Sequence, residues 1–245
     1  MSKKFLLPIL LGAGAGLAFL GGKGRSAFAT GEHRRRMAPE REKSRQAADE
    51  ATRRYLMYII MPVWSAVGFL DWLWHRQTKI ETTSGVKESI MHLLMMAEAG
   101  VPILTGLFLE MNAGALALMS AGWVMHELTV AWDVSYTISR RKIYPREQNT
   151  HGYMQSIPFD VVATLACLHP QQSLALLGFG PEKADFKLRL RKPPVPLKDF
   201  ATIVAGMGLV SGLPHIEELW RCYRAQQSGI AGRDIPECAQ ELYAS

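Results

Sequence analysis

Thiols are scarce in this chain: Cys167, Cys222 and Cys238 are the three cysteines among 245 residues. Their number is odd and no two stand in a C-x-x-C spacing, which excludes a disulfide framework and a thiolate metal site. Charge is thin as well, at 20% Asp, Glu, Lys and Arg, against about 25% in an ordinary soluble domain. No zinc finger, RNA-recognition signature or basic patch interleaved with aromatics is present, so a pI near 9.3 carries no nucleic-acid meaning. Internal repeats and low-complexity tracts are also absent.

What the chain does have is long apolar runs. A mean hydropathy of +0.01 resembles a soluble protein, yet it averages apolar stretches with charges collected between them. About twenty apolar residues cross a bilayer core. Tyr55 to Trp74, Ser89 to Leu109 and Ala113 to Ile138 each meet that length, which excludes a soluble single-core enzyme. Ile157 to Gly180 is a further span interrupted at His169-Pro170, where proline breaks the backbone ladder. Ala201 to Pro214 is short and glycine-rich, a tilted partial span or a re-entrant piece. Phe5 to Gly22 follows Lys3 and Lys4, and Ala27-Phe28-Ala29 has the form of a signal cleavage site. Lys23 and Arg25 between them favour an uncleaved anchor.

The expected architecture is therefore all-α, a multi-pass transmembrane helix bundle of about four to six spans or partial spans. Residues 1–54 are an N-terminal anchor or signal followed by a basic juxtamembrane helix, with ten Lys or Arg between Lys23 and Arg54. Residues 55–180 form the transmembrane bundle. Residues 181–245 comprise an interfacial segment, a short hydrophobic piece and a polar tail. In the interfacial segment Phe186, Leu188 and Leu190 alternate with Lys187, Arg189 and Arg191, which places cations towards lipid phosphates. The basic belts mark an integral membrane protein in contact with anionic headgroups.

An ionisable side chain at membrane depth is costly unless paired, hydrated or bound to metal, so each one marks a candidate site. Consecutive spans reverse direction, and this brings Asp71, His75, Glu81, Glu88, His92, Asp133, Glu147, His151 and Asp160 to one membrane face. Helical spacing adds a second constraint. Glu88 and His92, and Glu147 and His151, are i,i+4 pairs, and His126, Asp133 and Arg140 recur every seven residues on one stripe. Glu81 joins the stripe of Glu88 and His92 if that helix begins early enough.

The expected metal ligands are His75, Glu81, Glu88, His92, Asp133, Glu147 and His151. This oxygen and nitrogen set suits iron, manganese or zinc, and the number of carboxylates favours a bridged pair of iron or manganese ions over one zinc. It is similar in kind to the di-iron carboxylate proteins, whose bundle helices project Glu and Glu-x-x-His ligands inward. The spacing here is E-x-x-x-H, and the H-x-x-x-H and H-x-x-H-H boxes of membrane desaturases are absent. Glu98 and His126 match in depth on neighbouring antiparallel spans, a candidate proton relay or structural pair. Arg140 and Arg141 are candidate headgroup ligands.

The expected function is a di-iron type hydroxylase, desaturase or oxidase acting on an apolar, lipid-like substrate, with membrane lipids and a redox partner in attendance. Alternatives are a metal-dependent membrane hydrolase, or a non-catalytic subunit or transporter with a polar path.

Overall fold

The computed structural model describes residues 31–235, so the anchor or signal reading of the first thirty residues and the last ten of the polar tail lie outside the described residues. The chain divides into two units, residues 1–46 and 47–245. Of the first, the described part is helical and charged. The second holds the bundle.

Among the described residues the structure is all-helical, without strands. The helices are α1 (Gly31–Tyr55), α2 (Met61–Thr78), α3 (Gly85–Phe108), α4 (Ala113–Thr137), α5 (Pro145–Leu168), α6 (Pro170–Leu176), α7 (Leu197–Met207) and α8 (Leu213–Gln227). One π turn, Leu56–Ile60, joins α1 to α2, and another, Gly208–Gly212, joins α7 to α8. In each, a backbone N–H reaches five residues back, Met61 to Leu56 and Leu213 to Gly208. Helix α2 ends where Lys79 turns left-handed at φ 53° and returns its N–H to the carbonyl of His75. Asn112 starts α4, its side-chain oxygen accepting from the Ala115 N–H at 2.9 Å, as N-cap residues do.

Among the described residues, three helical stretches are long and apolar enough to cross a membrane: Glu42–Thr78, Gly85–Phe108 and Leu197–Gln227. The third differs from expectation. Pro214, taken as the end of a partial span, lies just after the π turn inside a helix that runs from Leu197 to Gln227, and the local π geometry accommodates its missing N–H. The apolar run therefore continues into a polar helix as one element. The outward surfaces are apolar, with Ile59, Val63, Leu104, Leu128 and Trp132 all exposed, a pattern that marks membrane contact.

Along its axis the bundle has two layers. Leu56, Met61, Trp64, Ala99, Ile103, Leu107, Met119, Val161 and Leu165 form a buried apolar core. At the other end, where α2 finishes, α3 begins, α4 finishes and α5 begins, most of the buried residues are polar, with the apolar Ile80 and Met91 set among them. Helix α8 packs on α3 beside this layer. Its neighbouring π turn approaches α2 at Gly68, where a Cβ would stand 2.3 Å from Ser211 Oγ and 3.2 Å from its Cβ. The alternating segment 185–191 is extended, as expected, but it lies against the α3–α4 connection. Glu110 and Gly114 donate to the carbonyls of Arg189 and Asp185, and Arg191 donates to that of Phe108, each at 2.9 Å.

Candidate metal centre

Helix α2 supplies Asp71 and His75, four residues and about one turn apart, both fully enclosed. Helix α3 supplies Glu88 and His92 by the same spacing, and α5 supplies Glu147 and His151. Asp133 enters from the last turns of α4. Each pair shares a face because its residues are four apart, and the alternating direction of the helices stacks those faces at one level. The structure thus brings together His75, Glu88, His92, Asp133, Glu147 and His151.

Two further residues complete the cluster, and the sequence reading did not single them out: His215 and Glu218 on α8, both 0% exposed. The signal was a His-x-x-Glu spacing after an apolar run, masked by treating Pro214 as a terminus. Asp71, marked by sequence as ionisable but not as a ligand, is central. His151 Nε2 lies 2.8 Å from its Oδ1, His75 Nε2 3.7 Å from the same atom, and His215 Nε2 3.6 Å from its Oδ2. The His75 and His92 rings stack at 4.6 Å between centroids.

Two imidazoles have an assignable donor. His75 Nδ1 lies 3.0 Å from Glu218 Oε2, and His215 Nδ1 lies 2.8 Å from the carbonyl of Ser211. A carboxylate and a carbonyl accept only, so in both rings Nδ1–H donates and Nε2 is the nitrogen turned towards the cluster. This is how metal-binding histidines are commonly oriented, the second nitrogen being held by an acceptor. His92 Nε2 is 3.5 Å from Asp133 Oδ2 and His92 Nδ1 is 3.8 Å from Glu218 Oε1.

Close approach here does not mean hydrogen bonding. Asp71 Oδ1, His75 Nε2, both nitrogens of His92, Glu147 Oε2, His151 Nε2, His215 Nε2 and Glu218 Oε1 are buried without a hydrogen-bond partner. Several face one another inside 4 Å as ion-pair contacts, His151 Nε2 and Asp71 Oδ1 at 2.8 Å and His75 Nε2 and Glu147 Oε1 at 3.3 Å. Stranding such groups in a protein interior costs about 1–3 kcal/mol each. Convergence without mutual bonding is the arrangement of ligands around a shared centre. Three groups have ligand atoms all within 4.8 Å of one another: Asp71, His75, His92 and His151; His75, Glu88 and Glu147; and Glu88, His92 and Asp133. These buried clusters could hold a metal ion.

Arg141 departs from the expectation of headgroup binding. Its side chain is 3% exposed and its guanidinium donates to both Glu88 and Glu147. A guanidinium removed from water requires carboxylates, and two of the cluster's own provide them. Burial opposes its charge, but Glu88 and Glu147 raise its pKa further, so it stays charged. Burial likewise pushes the Glu147 carboxyl up, yet His75 and Arg141 together bring it down to about 2. Its contribution to stability is therefore present above the usual carboxylate range and is lost as pH falls towards 2.

Arg140 sits at the rim, 3.8 Å over the Tyr136 ring, with Nη1 donating to the Tyr136 carbonyl at 3.0 Å. Glu81 lies outside all three groups. Helix α3 begins at Gly85, too late to carry Glu81 onto the stripe of Glu88 and His92, and Glu81 pairs with Arg221 instead. Glu98 and His126 do not bond each other. Glu98 accepts from Thr129 Oγ1 at 2.9 Å, and His126 Nδ1 lies 3.1 Å from the carbonyl of Met95.

A cavity of about 620 Å³ reaches from this cluster into the bundle. Asp71, His92, Asp133 and His151 line one part, Trp64, Met95, Met96, Val130, Val134 and Met154 form an apolar wall, and Arg141, Lys142, Gln148 and Gln155 also border it. Around the same end of the molecule, Lys87 lies over Tyr136 and Arg146 over Trp74, at 4.4 and 4.5 Å. Such cation and aromatic pairs suit a membrane–water interface. No protein-family model, curated protein or solved structure matches this chain.

Proposed function

We propose that this chain is an integral, multi-pass membrane oxidoreductase whose His and carboxylate cluster holds a pair of divalent metal ions, iron foremost, beside a cavity for an apolar substrate. The observation that carries the reading is the set of eight buried nitrogen and oxygen atoms without hydrogen-bond partners, contributed by Asp71, His75, His92, Glu147, His151, His215 and Glu218.

Charge supports two ions rather than one. Asp71, Glu88, Asp133, Glu147 and Glu218 bring five negative charges into the layer and Arg141 one positive charge. With neutral imidazoles, four negative charges remain, which two divalent cations balance and a single zinc does not. The donors are nitrogen and oxygen without sulfur, the preference of iron and manganese sites.

A bound pair would supply two-electron chemistry with dioxygen. For hydroxylation, one oxygen atom enters a substrate C–H bond, the other leaves as water with two protons, and a separate redox partner delivers two electrons. The chain's own part is orientation: Glu218 and the Ser211 carbonyl fix the rings of His75 and His215, and the apolar wall of the cavity offers an apolar substrate its contact surface.

The test is elemental analysis of detergent-purified protein. Two iron or manganese ions per chain are expected, falling by at least half in His215→Ala and Glu218→Ala. One zinc with no iron would replace this reading with a hydrolase in which a single ion activates water. Absence of bound metal, together with unaltered melting of both variants, would remove the enzyme readings altogether.

A further inference from the structure

The cavity's apolar wall carries one buried group that the metal cluster does not use. His126 lies on α4 seven residues before Asp133, so both face the same side and stand about 10 Å apart along the axis. Its side chain is enclosed and lines the cavity. Nδ1 lies 3.1 Å from the carbonyl of Met95 and so must carry the proton, which leaves Nε2 as an acceptor. Nε2 is buried and has no hydrogen-bond partner.

An acceptor in an apolar chamber calls for a donor on whatever enters it. A hydrocarbon or an ether would leave Nε2 stranded, whereas a hydroxyl group would satisfy it. Of the two cations that line the cavity, Lys142 is exposed and Arg141 is already paired with Glu88 and Glu147, so neither offers an anionic group an unbalanced charge inside the chamber.

We infer that the cavity binds an apolar molecule bearing a hydroxyl group, with that hydroxyl donating to His126 Nε2 and the remainder lying against Met95, Met96, Val130 and Val134 towards the Asp71, His92 and Asp133 end. The inference rests on the proposed oxidoreductase reading for what happens at the far end, and it adds a prediction about position: the reacting carbon lies about 10 Å from the hydroxyl. His126 is then a positioning residue, fixing which carbon reaches the cluster.

Binding can be measured without turnover. Full-length protein in lipid nanodiscs is titrated calorimetrically with 1-octanol and with its isomer heptyl methyl ether, which has the same heavy atoms but no donor. Octanol binds about tenfold more tightly. That preference disappears in His126→Leu and is partly restored in His126→Gln, which regains an acceptor. Should His126→Leu fail to fold, Val134→Phe is the second variant: it fills the cavity, leaves His126 intact and abolishes binding of both ligands.

Equal affinity for the two isomers overturns the inference, as does a preference that survives in His126→Leu. So does octanoate binding more tightly than octanol and losing that advantage in Lys142→Met. Metal content is measured on the same samples. A bound metal pair with no alcohol preference defeats this inference alone, while alcohol preference in protein without metal defeats the redox reading alone.

Discussion

Arg141 is the residue on which the electrostatics of the polar layer turn. It is enclosed, and its two carboxylate partners, Glu88 and Glu147, come from different helices. Removing one partner of a buried ionic group leaves the others uncompensated, at about 3–5 kcal/mol. Arg141→Met should therefore lower the melting temperature of the purified protein by roughly 10 °C; melting within 2 °C of the parent would mean the guanidinium is not structurally needed. Single residues were also what the sequence disclosed best. His75, Glu88, His92, Asp133, Glu147 and His151 stood out because ionisable groups near apolar spans demand a reason. His215 and Glu218 did not, because proline is ambiguous: in a regular helix it breaks the ladder, but beside a π turn it is accommodated and the helix runs on. Glu81 failed for a local reason, since the left-handed turn at Lys79 delays the next helix to Gly85.

At the scale of elements, the close approach of α2 to the second π turn sets the position of α8. A glycine in a helix costs about 1 kcal/mol relative to alanine, so Gly68 is unfavourable locally. Its benefit is the approach of Ser211, whose carbonyl holds His215. In Gly68→Val the overpacking of about 1–3 kcal/mol outweighs any local gain. The variant should melt several degrees lower and retain less metal, both measurable on one preparation; a more stable variant with full metal would show that α8 is not held by this contact. Helix existence was legible from hydropathy, and so was the extended character of 185–191 from its alternation. The partner of that segment was not legible, because alternation states which side is apolar and nothing about which backbone groups lie opposite.

The whole molecule separates its two tasks along one axis: apolar packing at the end holding Ile103 and Leu165, ionisable packing at the end holding His75 and His92. If α3 crosses the bilayer, as its length and composition allow, its two ends face opposite compartments. A single cysteine at Thr83, near the polar layer, and one at Glu110, beyond the other end of α3, should label from opposite sides of sealed vesicles with an impermeant maleimide. Labelling of both from one side would contradict a spanning α3. The convergence of distant residues at one end was readable from alternating span direction alone. The depth of their burial was not, since it depends on α8 closing over them.

The π turn at Gly208–Gly212 works as a frame shift within a continuous helix. It inserts one residue, and each residue of an α-helix advances about 100° around the axis, so everything beyond Gly212 faces a direction it would not have in an unbroken helix. Loss of one residue from that stretch would yield a more regular helix and swing His215 and Glu218 out of the cluster. The offset of that one residue is what turns His215 and Glu218 towards the cluster.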